Sequence, residues 1–598
     1  MARVCRVLPD VPAVDRAFDY LVPDGMRDRI VTGSIVRVPL HGRRVRGWVL
    51  EPDVEPETDR ERLLPVHAVV SAGPPAEIVE LCGWAAWRWA GPRVAFLRSA
   101  SPPNIVAGAP PSEPDAAVFP GRDAPLDLPA GNPRVVRWPP ARSRAELVSA
   151  LVASEGSTIV LAPDASETNL LASTLEAEGR HVLVLRSEIS DAERTTVWAE
   201  ARHGACIVLG GRIAAFAPVP DLTGVVVLDD SDEALEEERT PAWHAFTLLA
   251  ERARRTLARL DVVSPAPSVE AIVAADAAIA AAARDIERGG WPRLDIVDIR
   301  YEPPGKTLLS SRLANSIHRA LDGGGRVLCV LNRKGRARLL VCGSCSELAR
   351  CARCEAALQE AADGLECHRC GARSPAVCTH CGSGALRPRR LGVVRVREHL
   401  AALVPLARVI AVESGSAPMP AFDVAIGTEA VLHRAPSDPT RPIRLVAFLD
   451  VDQELLAPRH RAEEQALWLL VRAARRVGDR SAGGTMLVQT RMPEHAVLAA
   501  VRDADPAPVL DADVARRREL SYPPFGGLAE VSGDPAAVAS ACEALAALEP
   551  LTVLGPSDGR ALVRTPSIDE LCDALAAVDL SPARALGRLR VDVDPRRV

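Results

Sequence analysis

VCGSCSELARCARCEAALQEAADGLECHRCGARSPAVCTHCGSG, residues 341–384, is the stretch that decides how the middle of this chain folds. It holds four Cys-x-x-Cys knuckles: Cys342/Cys345, Cys351/Cys354, Cys367/Cys370 and Cys378/Cys381. Each knuckle is a tight turn that aims two thiolates at one point. Two knuckles complete a closed tetrahedral zinc site, with no position left open for catalysis. The competing reading is a run of disulfides, which a chain of 598 residues does not need to hold a core. Five residues separate the first knuckle from the second, which is short for both to wrap one ion; twelve separate Cys354 from Cys367, the length of a zinc-ribbon hairpin. The spacing therefore predicts nested sites. Cys342, Cys345, Cys378 and Cys381 hold one Zn²⁺, and Cys351, Cys354, Cys367 and Cys370 hold the other. His368 and His380 lie inside knuckles that already have their sulfurs and read as neighbours.

Around this block the composition is that of a soluble multidomain protein: 48% hydrophobic and 25% charged, with a length that implies three to five domains. The six remaining cysteines are scattered, as in a reducing compartment. The N-terminal residues lack an apolar signal core, and no run of eighteen apolar residues suggests a membrane span. The expected location is the cytoplasm, in association with the nucleoid, without a membrane partner. A net charge of −6 does not advertise nucleic-acid binding, but basicity is local. Arg43, Arg44 and Arg46 cluster early and are candidate phosphate contacts. A second group follows the zinc block, and Arg472, Arg475, Arg476 and Arg480 form a third on a late helix. A solvated face is the bland reading of each.

The fold class read from the pattern is multidomain α/β. Residues 1–103 read as a β-rich N-terminal domain closed by a helix near 76–89, and 104–140 as a Pro-rich linker. Apolar runs such as Thr158–Leu161 and Val225–Leu228 alternate with helices through 141–295, which reads as one lobe with a parallel sheet buried on both faces. A second such lobe spans 296–340 and 391–500, interrupted by the double-zinc module at 341–390; a small α+β domain occupies 501–598.

This organisation resembles the PriA family of primosomal replication-restart proteins. Phe18-Asp19-Tyr20-Leu21-Val22-Pro23, Val36-Arg37-Val38-Pro39-Leu40-His41-Gly42-Arg43, Leu331-Asn332-Arg333-Lys334-Gly335, Leu449-Asp450-Val451-Asp452 and Tyr522-Pro523-Pro524-Phe525 are similar to its motifs, in the same order. The resemblance implies two RecA-like helicase lobes, a winged helix after the first domain, nested zinc pairing, and an N-terminal domain that captures a 3′ DNA end with an aspartate at the position of Asp19. It also implies partners: branched, forked and single-stranded DNA, single-strand-binding protein, and primosome proteins that load the replicative helicase.

The resemblance departs from the family at the ATPase motifs. The phosphate loop is expected before Leu161, and Leu151–Thr158 has no Gly-Lys-Thr; Gly305-Lys306-Thr307 is a decoy behind Pro303-Pro304. The acidic Asp-Glu-Glu-His motif reads Asp229-Asp230-Ser231-Asp232, and the late arginine motif reads Arg472–Asp479, with Arg475 in place of a glycine and Asp479 in place of the finger arginine. ATP is therefore not an expected cofactor and no catalytic residue is assigned. The expectation is a DNA-binding restart protein that recognises stalled or branched forks without helicase activity. The alternative is an ATP-dependent 3′–5′ helicase with a non-standard nucleotide site.

Overall fold

The computed structural model describes all residues except 1–2, 12–13, 108–123, 187, 302–307, 332–338, 362, 369, 389–392, 413–418, 437, 439 and 598. Gly305-Lys306-Thr307, and all of Leu331–Gly335 but its first residue, lie outside the described residues.

Period-two patterning builds the N-terminal domain. Strands β1 (Val4–Pro9), β2 (Phe18–Leu21), β3 (Ile35–Leu40), β4 (Arg43–Glu51) and β5 (Ala68–Ser71) form an antiparallel sheet in the order β2-β1-β4-β3-β5. Leu8, Ile35 and Trp48 point one way, onto helices α1 (Ala76–Arg88) and α2 (Arg93–Ala100). Cys5, Val7, Val36, Val38 and Val49 point the other way, into a second small core with Tyr20. The buried Trp48 indole donates to Ser101 Oγ at 2.8 Å, and the Trp198 indole donates to the Ala100 carbonyl at 2.9 Å, tying this domain to the next.

Lobe one is an all-parallel sheet of seven strands. In chain order these are β6 (Arg134–Arg137), β7 (Ser157–Leu161), β8 (Val182–Leu185), β9 (Ile207–Gly210), β10 (Leu222–Leu228), β11 (Arg259–Ser264) and β12 (Ile279–Ala281). They lie in the order β12-β6-β11-β10-β7-β9-β8. β7 and β9 are buried at every position, as expected of strands covered on both faces. Fully burying a Val, Leu or Ile side chain is worth about 1.5–3 kcal/mol, so apolar packing supplies the cohesion of this sheet. Lobe two repeats the plan with six parallel strands, in the order Arg293–Asp298, Thr485–Thr490, Ile443–Phe448, Arg326–Val330, Val424–Gly427 and Val409–Val412. The helix Ala462–Val477 packs on one face of it, and the helices Ser311–Asp322 and Val393–Leu403 on the other. The zinc module enters and leaves through paired strands Leu340–Cys342 and Leu386–Pro388. The C-terminal domain is an antiparallel sheet of Thr552–Ser557, Arg560–Thr565, Gly527–Gly533 and Leu589–Val593.

Three expected boundaries need correction. β6 lies inside the span 104–140 read as a linker, yet it pairs with β11 and β12 in the middle of lobe one; four residues are too short for the apolar pattern to stand out among Pro and Gly. The strand Arg293–Asp298 opens lobe two, a few residues before the expected limit at 296. Helices Ala496–Asp503 and Ala507–Glu519 bury Val497, Leu498, Val501, Val509 and Leu510 against lobe two, so the last domain begins after them and not at 501.

Candidate metal centres, nucleotide cleft and nucleic-acid interface

The knuckles meet in the nested pairs that the spacing predicts. Cys342, Cys345, Cys378 and Cys381 form one cluster and Cys351, Cys354, Cys367 and Cys370 the other, with all four sulfurs of each set within 4.8 Å of one another. The hairpin Leu358–Ala361/Gly364–Cys367 brings the inner knuckles together. Facing sulfurs lie 3.6 Å apart for Cys342/Cys381, Cys345/Cys378 and Cys351/Cys370, and 3.4 Å for Cys354/Cys367. A tetrahedral zinc with bonds of about 2.3 Å spaces its sulfurs about 3.8 Å apart, whereas a disulfide needs about 2.05 Å. The donor sets fit Zn²⁺ and not disulfides. His368 and His380 are exposed and belong to neither set.

In an open parallel sheet, ligands bind beyond the carboxyl ends of the strands. A phosphate loop joins such a strand to the helix after it, with its lysine opening that helix. In this chain a matching segment runs from β6 to α3 (Ala145–Leu151), with Arg144 at the position just before the helix. The stretch Leu151–Thr158, expected to hold the loop, instead carries the chain from α3 into β7, which corrects that reading. The residues between, Trp138-Pro139-Pro140-Ala141-Arg142-Ser143, contain no glycine and two prolines without amide donors. The Trp138 indole closes the turn on the Ser143 carbonyl at 3.0 Å.

Arg144 points along the carboxyl ends of lobe one. Its Nη1 donates to Asp229 Oδ2 at 2.8 Å, and Nε donates to Glu167 at 2.6 Å. Asp229, at the carboxyl end of β10, is fully buried and also receives Arg475 on both oxygens, at 2.6 Å on Oδ1. Burial opposes ionisation of Asp229, but Arg144 and then Arg475 outweigh it and hold its carboxyl below the usual range. More pairs cross between the lobes. Arg472 meets Asp232 at 3.2 Å, Arg476 meets Asp164 at 3.3 Å, and Arg461 meets Glu270 at 2.7 Å. Asp479 lies 3.7 Å from Arg142, on the segment between β6 and α3. The C-terminal tail joins in: Arg596 donates to the Ser231 carbonyl at 2.8 Å and to His244 Nε2 at 2.5 Å. Arg472, Arg475 and Arg476 thus each pair with a carboxylate of lobe one. The sequence offered no signal for Arg144 or Arg596, whose partners lie 85 and 365 positions away.

Asp230, next to Asp229, is a different case. It is fully buried with one oxygen accepting from the Ser268 amide at 3.0 Å, and burial pushes its carboxyl up to about 7. Folded Asp230 then holds a proton that the unfolded chain releases above about pH 4, so stability falls as pH rises from 4 to 7. Asp230→Asn is expected to match the parent near pH 4 and to exceed it above pH 7 by up to a few kcal/mol, at about 1.4 kcal/mol per tenfold change in proton affinity. Parallel pH–denaturation curves for the two proteins would rule this out.

In the N-terminal domain, Asp19 on β2 is nearly covered, with its side chain 6% exposed. Arg6 donates to both of its oxygens, at 2.9 and 3.3 Å, and the Glu57 amide adds a bond of 3.0 Å. Burial works against the charge; the Arg6 and Glu57 hydrogen bonds overcome it and keep the carboxyl below the usual range. An ionised carboxylate offers about four acceptor positions, so Asp19 retains room for one further donor. Arg43, Arg44 and Arg46 all lie exposed on β4 of the N-terminal sheet. No helix among the described residues is long and apolar enough to cross a membrane.

Two parallel α/β lobes facing across a cleft, an insert with two four-cysteine sites in the second lobe and a β-rich first domain define a helicase-like, metal-binding protein class. Residues 6–102 match the family model described as 3′DNA-binding domain (3′BD), and residues 518–596 match the Primosomal protein N C-terminal domain. The probable replication restart protein PriA of Mycobacterium bovis is 30% identical, covering 93% of this chain and 91% of its own length; that of Mycobacterium leprae is equally similar. The replication restart protein PriA of Bacillus subtilis is 26% identical over 66% of this chain and 52% of its own length. The chain belongs to the PriA family of replication restart proteins.

Proposed function

We propose that this chain recognises stalled or branched DNA forks as a scaffold for replication restart, and that it does so without a helicase motor. The observation that carries the second half is the Arg144–Asp229–Arg475 cluster. In a motor of this build, the acid at Asp229 serves a metal ion and the arginine from lobe two serves the γ-phosphate. Here Asp229 is neutralised by Arg144 and by Arg475, which stands at a glycine position of the late motif, while Asp479 occupies the finger position, and a loop with two prolines stands where phosphates would need amide donors. ATP is then not a cofactor, and the lobes keep one relationship whether or not nucleotide is present.

The first half is supported by the N-terminal domain. Asp19 would accept the 3′ hydroxyl of a DNA strand on its remaining acceptor position, held ionised and aimed by Arg6. Arg43, Arg44 and Arg46 would take phosphates of the same DNA. The zinc module, with structural Zn²⁺ in both four-cysteine sets, would contact single strands or primosome proteins. The location that follows is the cytoplasm, on the nucleoid.

The test is fork binding and ATP hydrolysis measured on one zinc-replete preparation, with 3′-hydroxyl and 3′-blocked forks compared. Tight binding that favours the free 3′ end, without DNA-stimulated hydrolysis, is the expected result. Asp19→Asn is expected to erase the preference for the free end, about a tenfold change for the loss of a hydrogen bond to a charged group. Appreciable hydrolysis lost in Asp229→Ala would establish the helicase reading instead.

A further inference from the structure

The β3–β4 hairpin outruns the sheet that contains it. β5 pairs with β3 only through Ile35–Arg37, and β1 pairs with β4 only through Gly47–Glu51. From the Arg37/Arg46 pair at its base, the hairpin continues through Val38 and Val45 as a two-stranded ribbon, turned by His41 and Gly42 with φ of 45° and 76°. Two left-handed residues in a row give the tight turn whose twist matches a hairpin. At the base of the hairpin, the face carrying Ile35 and Trp48 is covered by α1 and α2. Side chains alternate, so the same face further out carries Arg37, Pro39, Arg44 and Arg46. All three arginines there are exposed, and Arg43 stands exposed beside the turn.

Arg37 and Arg46 are direct cross-strand partners. Like charges in that relation destabilise a sheet. Among the described residues no carboxylate pairs with Arg37, Arg43, Arg44 or Arg46. Asp10, whose amide bonds the Arg46 carbonyl, gives its own carboxylate to Arg98 at 2.6 Å. Charged residues also protect ribbon edges from pairing with another chain, but one charge per strand does that without setting arginine against arginine. Trp48 at the base of this face is buried, and the exposed part further out carries no Phe, Trp or Tyr, so a single strand would find none of these rings there to stack its bases against. A duplex presents backbone phosphates on both sides of a groove wide enough for a two-stranded ribbon.

We infer that this ribbon is a docking surface for double-stranded nucleic acid, laid along the phosphate backbone with Arg37, Arg44 and Arg46 as its contacts. The inference rests on the DNA-binding reading above, deepens it from a 3′ end to the duplex behind that end, and adds Arg37, which no run of neighbouring charges marks in the chain.

The experiment uses the full zinc-loaded chain. It compares the parent, Arg37→Ala, the triple variant Arg37→Ala/Arg44→Ala/Arg46→Ala and the triple Arg→Lys variant on a blunt 30-base-pair duplex and a 30-nucleotide single strand. Affinity is read as a function of salt. Each phosphate interaction removed lowers the slope of log K against log[salt] by about 0.9 on duplex DNA. Arg37→Ala is expected to lower the duplex slope by about one and the triple alanine variant by two to three, with the lysine variant keeping most of it and single-strand affinity unchanged. An unchanged duplex slope in the triple alanine variant overturns the proposal, as does an equal loss on the single strand. The substituted side chains are exposed, so a parental melting temperature separates weakened phosphate binding from misfolding. Failure of this site alone leaves the preference for a free 3′ end intact; failure of the DNA-binding reading removes all binding by the parent.

Discussion

Replacing Cys367 with serine is expected to remove one of two zinc ions per chain and to unfold the inner half of the zinc module, while both lobes stay folded. Cys367 is fully buried at the end of the strand Gly364–Cys367, where its sulfur faces Cys354 at 3.4 Å. The module core around it is small: Leu340, Leu358, Leu365, two alanines and the sulfurs themselves. So few apolar groups do not offset the entropy of ordering the segment. Structural zinc contributes on the order of 10–16 kcal/mol in comparable small domains, where metal binding and folding are one equilibrium. Metal analysis should fall from about two ions to about one, and amide exchange should lose protection between 351 and 372. A strong chelator should do the same to both halves of the parent protein. The lobes keep their own cores and their thermal transition. Retention of two ions by the variant, or unaltered exchange, would contradict two separate four-cysteine sites.

Asp229→Ala is expected to cost about 3–5 kcal/mol, because removing one partner from a buried ion cluster leaves the others uncompensated. Arg144 would keep Glu167, but Arg475 loses its acid on the far side of the cleft. Arg475→Ala should cost less, since Arg144 still neutralises Asp229. The double variant should cost less than the two changes added together, the signature of a direct interaction. The sign with pH follows from the depressed carboxyl: the contribution is present above the ordinary carboxylate range and is lost as acid protonates Asp229. Mg²⁺ with ATP should not raise the melting temperature of the parent, whereas a bound nucleotide would do so in proportion to its concentration. A fully stable Asp229→Ala protein would show that the clamp does not hold the lobes, and a shift with Mg-ATP would show that the cleft admits nucleotide.

How much of this was legible beforehand differs from site to site. The Cys-x-x-Cys turns are local, and the loop lengths between them leave little choice of pairing, so both metal sets could be assigned residue by residue from the order of cysteines. The two parallel sheets were visible as apolar runs because strands buried on both faces have no polar alternation to disguise them. β6 was hidden, since four residues inside a Pro- and Gly-rich span carry no period to detect. With it went the true position of the loop ending at Arg144.

The sequence by itself determined the class of fold and the two four-cysteine sets, because each of these depends on residue type at short spacing. Only the tertiary structure decided which side chains meet in the cleft. Arg144 and Asp229 are 85 positions apart, and Arg475 and Asp229 are 246 apart; charges so distant pair only where the packing of strands and lobes brings them together. The arginine ribbon is the same lesson at smaller scale. Arg43, Arg44 and Arg46 stand together in the chain, but Arg37 joins them only through the register of a hairpin.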